Sequence, residues 1–166
     1  MKGAVLNGPV REATADDVSA LVEVINLAYR VEDDFAIGDR TSPDSVAAMI
    51  REPNSNFLVA PASGDNPVRL AGAVYVQARD DRGFFGPLAV DPAHQGRGLG
   101  KALVSAAEAY CRARGCQHMD LDVLSLRPEL IPFYQSLGYV ISRTAEYPRP
   151  QDFRQPCHVI SMTRPL

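Results

Sequence analysis

Long apolar runs, an excess of positive charge and clustered metal ligands are all missing from this sequence. No apolar stretch approaches the roughly 20 residues that a membrane-spanning helix needs. The N-terminal "MKGAVLNGPV" is broken by Asn7, Gly8 and Pro9 and so lacks a signal-peptide core. With 17 Lys and Arg against 20 Asp and Glu, the formal charge is -3, which offers no basic footprint for nucleic acid or an anionic membrane. Any anion site must therefore be local, which favours a small ligand. Cys111, Cys116 and Cys157 are odd in number and form no C-x-x-C pair, a pattern that suits reduced thiols in a cytoplasm better than a secreted disulfide framework. His94, His118 and His158 are far apart and none stands at zinc spacing, so no metal is expected.

What is present is ordinary globular material: 166 residues, 46% hydrophobic and 22% charged, enough for one domain spanning 1–166 without a disulfide or metal staple. "VREAT" (Val10 to Thr14) reads as a short strand, and Thr14 with Asp17 as a capping box. Val18, Leu21, Val22, Ile25, Ala28 and Tyr29 then recur at helical spacing. After a polar loop, Ser42-Pro43 opens a second helix with Val46, Met49 and Ile50 on its buried stripe. Asn56 to Ala60 and Arg69 to Ala78 read as an antiparallel hairpin. "FFGPLAV" is apolar enough for a central strand, yet Pro87 cannot donate to a ladder, so a local splay is expected at Gly86-Pro87. A helix over Leu99 to Arg114, a strand at His118 to Val123, a short helix over Pro128 to Leu137 and two last strands complete a mixed α/β (α+β) chain without repeats.

The segment "VDPAHQGRGLGKAL" (Val90 to Leu103) concentrates Gly96, Gly98 and Gly100 between a strand and a helix, with Lys101 next. Glycine lets such a loop take turns closed to other residues and bring its amides close to a ligand. The helix start adds unpaired amides and the positive end of a dipole, so the junction is suited to phosphate. A Walker loop would need glycine at Gln95 and serine or threonine at Ala102. A dinucleotide fingerprint would put its third glycine on Lys101 or Leu103, although Asp120 stands at a workable distance for a ribose contact.

Gln95-Gly96-Arg97-Gly98-Leu99-Gly100 does match the Q/R-x-x-G-x-G/A segment of the GNAT N-acetyltransferase superfamily. "GPLAVDPAHQGRGLGKALVSAAEAYCRARG" resembles that family's strand, loop and helix, and "RPELIPFYQSLGYV" resembles its later helix with the F-Y-x-x-x-G-[FY] ending. The resemblance implies a mostly antiparallel sheet of six to seven strands, splayed between the fourth and fifth and flanked by about four helices. It implies acetyl-CoA as cosubstrate, an amine as acceptor and a homodimer as a further possibility, for which periodicity identifies no interface. By the same resemblance the pantetheine arm pairs with the backbone of Leu88, Ala89 and Val90. Gln95, Gly96, Arg97, Gly98, Leu99, Gly100 and Lys101 surround the pyrophosphate, mostly through main-chain N–H groups.

Tyr134 matches the tyrosine that the family places near the CoA sulfur. Reference pKa values near 10 for tyrosine and about 8.5 for a thiol make full proton transfer uphill by roughly 2 kcal/mol, which favours a hydrogen-bond donor over a complete acid. Phe84 and Phe85 stand where some relatives carry a glutamate or histidine base, leaving no obvious base on that strand. Glu32, Asp33 and Asp34 read as a solvated acidic loop. Arg127 stands where many relatives have asparagine, and is assigned to the cofactor side; it and Arg40 could equally orient an acidic acceptor. The expected reaction is direct acetyl transfer to a primary amine of a small molecule or protein, with no covalent enzyme intermediate. A non-catalytic acyl-CoA-binding module and an NAD(P)-binding oxidoreductase are the alternatives.

Overall fold

The computed structural model describes residues 9–64 and 69–166. The N-terminal stretch read against a signal peptide, and the centre of the connection between the first two long strands, lie outside the described residues. In chain order the elements are β1 (Arg11–Glu12), α1 (Val18–Ala28), α2 (Pro43–Arg51), β2 (Ser55–Pro61), β3 (Leu70–Arg79), β4 (Arg82–Val90), α3 (Leu99–Arg112), β5 (His118–Leu124), α4 (Leu130–Ser136), β6 (Val140–Glu146) and β7 (His158–Pro165). They build one seven-stranded sheet in the order β1-β2-β3-β4-β5-β7-β6. Every neighbouring pair is antiparallel except β4 and β5.

Local chemistry sets the helix starts. The Thr14 N–H donates to Asp17 Oδ2 at 2.8 Å, and Arg11 holds the same carboxylate, closing the turn that leads into α1. Ser42 Oγ accepts from the Ser45 N–H at 3.3 Å, with Pro43 in the first turn of α2. The α3 cap is different in kind: Gly98, at φ +80°, supplies no side chain to its orphan amides.

Strand alternation divides the core into two layers. Phe57, Val59, Ala73 and Tyr75 turn one way, against Leu21, Val24 and Ile25 of α1 and Val46 of α2. Leu58, Ala60, Val74 and Val76 turn the other way, against Leu99, Leu103, Val104 and Ala107 of α3. Burying each such Leu or Val contributes about 1.5–3 kcal/mol, so the helices on both faces hold the sheet rigid under the site.

The expected splay has a definite origin. Leu88 lies opposite Val74 and Phe85 opposite Val76, so β4 carries one residue more than β3 between those pairs, with Gly86 at φ +138° in the bulge. On the other side, β4 pairs with β5 only from Arg82 to Phe84, opposite His118 to Asp120, and then leaves it. The strand begins earlier than "FFGPLAV" indicated: Arg79 pairs with Arg82, leaving Asp80 and Asp81 as the hairpin loop, with Asp80 at φ +52°. The wedge between β4 and β5 is bridged at its mouth by main chain. Ala36 pairs with Phe153, the Ile37 N–H donates to the Asp152 carbonyl at 2.9 Å, and the Arg154 N–H donates to the Phe35 carbonyl at 2.8 Å.

Candidate active site

Three parts of the fold converge on the wedge. The first is the edge of β4. The Asp91 N–H donates to the Ala71 carbonyl of β3 at 2.8 Å, so antiparallel alternation turns Ala89 toward β3 and Leu88 and Val90 away from it. Side chains reach both outward carbonyls: the Tyr29 hydroxyl donates to Leu88 O at 3.3 Å and Gln95 Nε2 to Val90 O at 3.3 Å. Each carbonyl keeps a second lone pair for another donor.

The second part is the glycine loop. Asp91 Oδ1 accepts from the Ala93 N–H at 2.9 Å and holds the short turn of Pro92 to His94. Gly96 and Gly98 follow, at φ +74° and +80°, and a Cβ on either would meet nothing within 4 Å, so the loop needs glycine for its dihedrals while facing open space. Ala102 N–H is the first to close back onto Gly98 O, at 3.1 Å, which leaves the amides of Leu99, Gly100 and Lys101 at the free end of a 14-residue helix. Leu99 itself is buried and anchors the loop, whereas Arg97 and Lys101 are exposed. A tail of phosphates therefore fits this junction: open space, unpaired amides and two exposed cations meet there.

The third part is a cleft of about 650 Å³ lined by β4 from Phe84 to Leu88, β5 from Leu121 to Leu124, Tyr29, Glu32, Arg127 and Tyr134. Tyr134 is only 6% exposed, packed against Phe133 at 5.0 Å, Phe85 at 5.9 Å and Tyr139 at 6.1 Å between ring centroids. Among the described residues its hydroxyl has no partner, and burial pushes its pKa above the ordinary tyrosine value, so it stays a proton donor. Phe85 fills the core under the cleft, and no ionisable side chain of β4 enters it.

Glu32 corrects the sequence reading of its loop. It is 4% exposed rather than solvated, because the turn Tyr29–Glu32 continues α1 and sets this one carboxylate in the wall of the cleft against Arg127. Asp33 and Asp34 remain exposed as expected. Glu32 Oε1 accepts from Arg127 Nη1 at 3.0 Å, and Arg127 Nε donates to Glu129. The guanidinium assigned to the cofactor side is thus placed against two carboxylates of the chain itself. Desolvation raises the Glu32 pKa, and Arg127 opposes that rise without cancelling it. Arg40 lies with its guanidinium 5.0 Å from the Tyr29 ring centroid. Tyr29 was legible only as the last residue of an apolar helix stripe; nothing in the spacing distinguished its hydroxyl from a buried tyrosine's.

Among the described residues no cluster of His, Cys, Asp and Glu is placed to hold a metal ion, and no helix is long and apolar enough to cross a membrane.

Comparison with known proteins finds acetyltransferases. Glucosamine 6-phosphate N-acetyltransferase 1 of Oryza sativa subsp. japonica is 34% identical over 88 residues, covering 50% of this chain and 52% of that protein. Streptothricin acetyltransferase of Streptomyces lavendulae is 33% identical over 85 residues, covering 50% of this chain and 43% of that protein. The match spans about half the length of these curated relatives. Among solved structures, a GNAT superfamily phosphinothricin acetyltransferase from Sinorhizobium meliloti, in complex with AcCoA, superposes with a TM-score of 0.73 over 95% of this chain and 87% of that one, at 21% identity, which speaks for the fold alone. Residues 20–139 match the sequence model of the Acetyltransferase (GNAT) family. That match runs from α1 through the bulged strand, the glycine loop and the helix carrying Tyr134, and by it the chain belongs to the GNAT acetyltransferase family.

Proposed function

We propose that the chain is an N-acetyltransferase, one domain over residues 1–166, that moves the acetyl group of acetyl-CoA directly to a primary amine in a ternary complex. One observation carries this reading: an outward-turned strand edge and a buried tyrosine with a free hydroxyl border one wedge, and the same strand runs on into a glycine-capped helix with free amides. Acetyl-CoA supplies an activated thioester carbonyl. The chain's own groups hold and orient it: the outward-turned backbone of Leu88 and Val90 along the arm, with Ala89 between them bonded back to β3, and the loop from Gln95 through Gly96, Arg97, Gly98, Leu99, Gly100 and Lys101 about the diphosphate. Charge-assisted bonds of about 1.5–3 kcal/mol each outweigh a helix-dipole contribution of about 0.3–1 kcal/mol, so amide geometry dominates the grip. Tyr134 then donates a hydrogen bond to the departing sulfur. Arg127 supports the wall between donor and acceptor through Glu32.

Direct transfer is favoured because none of the three cysteines is in the cleft: Cys111 is on the buried face of α3, Cys116 is buried just after that helix and Cys157 is buried beside Ser125. Buried free thiols also fit a reducing, cytoplasmic setting. The test has two parts. Calorimetry with acetyl-CoA should show binding that NAD(P)H does not match. A screen of amines followed by free-thiol release should then find turnover. Binding without turnover on any amine would return the reading to an acyl-CoA sensor, and no binding at millimolar acetyl-CoA would end it.

A further inference from the structure

The acceptor side of the cleft contains a carboxylate whose situation the donor site does not explain. Glu32 is 4% exposed and lines the cleft, yet only one of its oxygens is engaged. Oε1 accepts from Arg127 Nη1 at 3.0 Å, while Oε2 has no hydrogen-bond partner among the described residues. A buried ion pair offsets its desolvation only when the remaining lone pairs are also satisfied. Here the geometry withholds one partner. Arg127 is held in turn by Glu129, so the three charges sum to −1 and the guanidinium has two carboxylates to serve before any external anion. The other titratable groups close to Glu32 are Arg40 from the loop after α1, which acts by its charge, and the neutral Tyr29 hydroxyl on its own turn; burial, Arg127, Arg40 and Glu129 set its titration.

We propose that Glu32, aimed by Arg127, receives the protonated primary amine of a cationic acceptor on Oε2 and removes its proton before transfer. This rests on the N-acetyltransferase reading above. The acceptor arrives as R–NH3⁺, and one N–H bond breaks to leave its electron pair on nitrogen and the proton on Glu32. That pair forms the new N–C bond with the thioester carbonyl. The C–S bond breaks with its electrons on sulfur, which takes up the second proton lost by nitrogen, and Glu32 later releases its proton to water. The balance is R–NH3⁺ plus acetyl thioester giving acetamide, free thiol and one proton. Glu32 borders the same cleft as β4, which itself contributes no ionisable side chain there. Arg127 is a positioning residue, since it touches Glu32 and not the amine.

The experiment uses the full chain and a panel of primary alkylamines read by thiol release. Glu32→Gln preserves shape and the contact to Arg127. It should bind acetyl-CoA within twofold of the wild type by calorimetry, while kcat falls about 100-fold or more, in the range of a lost general base, and the acid limb of kcat/KM disappears. A second readout needs no substrate. The Glu32 carboxyl, followed by carbon NMR in the ligand-free protein, should titrate above about 4.3, the ordinary glutamate value. Arg127→Met should move that titration and the acid limb upward together, and Arg127→Lys should restore part of the shift. Three results would overturn the assignment: kcat of Glu32→Gln within threefold of wild type, a Glu32 titration at the ordinary value that ignores Arg127→Met, or a wild-type enzyme that binds acetyl-CoA but is idle on every amine. Failure of the wild type to bind acetyl-CoA would instead remove the parent reading.

Discussion

Replacing Tyr134 with phenylalanine separates the hydroxyl's chemistry from the ring's packing. The ring sits among Phe85, Phe133 and Tyr139 and keeps those contacts in the variant. The hydroxyl has no protein partner among the described residues, so removing it breaks no bond in the resting protein; a buried polar atom lost without orphaning another is close to neutral for stability. At about 2–4 °C per kcal/mol for a chain of this size, Tm should stay within about 2 °C of wild type. The transition state is different, because in the proposed mechanism the lost donor faces developing negative charge on sulfur. Hydrogen bonds to charged partners contribute about 1.5–3 kcal/mol, which at 1.36 kcal/mol per decade is about 10- to 150-fold in kcat. Thiol release at saturating acetyl-CoA measures this, with calorimetry to verify unchanged cofactor affinity. Because burial raises the tyrosine's pKa, its ionisation should add no alkaline limb below about pH 10. Alanine at this position would confuse the two effects, since it also empties the aromatic cluster. A Tyr134→Phe enzyme with kcat within twofold of wild type and the same Tm would show that the hydroxyl takes no part.

Other substitutions test the scaffold. Gly98→Ala has space for its methyl group but not the dihedral, at φ +80°, and should cost about 1–2 kcal/mol in chemical denaturation while weakening acetyl-CoA binding more than tenfold as the cap relaxes. A Kd unchanged beside the expected stability loss would detach the loop from the cofactor. Gly83→Ala would push a Cβ to 2.5 Å from Cys111 Sγ and 2.9 Å from Met119 Sδ, so overpacking of about 1–3 kcal/mol should lower Tm by several degrees with little change in Kd. Arg11 and the Thr14 amide hold the Asp17 carboxyl below its usual range. Its stabilisation is therefore complete above the unfolded value of about 3.9 and fades as pH falls through the lower folded value. Asp17→Asn should cost about 1 kcal/mol at neutral pH, the loss of a cap, and should show a shallower decline in Tm on acidification below about pH 4.

The strand bulge and the glycine loop were readable in the sequence because they depend on backbone. Gly86-Pro87 marked the bulge, and Gly96 and Gly98 marked left-handed dihedrals; glycine and proline report local conformation directly. Helix starts at Thr14 and Ser42 were equally local. The acceptor side was not readable, since its contacts join distant parts of the chain. Glu32 and Arg127 are 95 residues apart, and Tyr29 reaches Leu88 across 59. Three acidic residues in a row look like a solvated loop until tertiary structure shows that only the first turns inward. Arg127 likewise looked available to an anion because its two carboxylate partners lie one in that loop and one on the next turn.

The main-chain bridges at Ala36–Phe153, Ile37–Asp152 and Phe35–Arg154 tie the two loops that frame the wedge without using a side chain in those bonds. Such ties are largely indifferent to residue identity. Ile37, an exposed side chain, can therefore be exchanged for residues of other size or charge while the frame persists, whereas Tyr147, packed on Phe153 at 4.7 Å, and Arg149, paired with Asp152 at 2.9 Å, help to hold the second loop. Variation at the rim of the wedge is therefore tolerated first at Ile37, whose side chain carries no part of the tie.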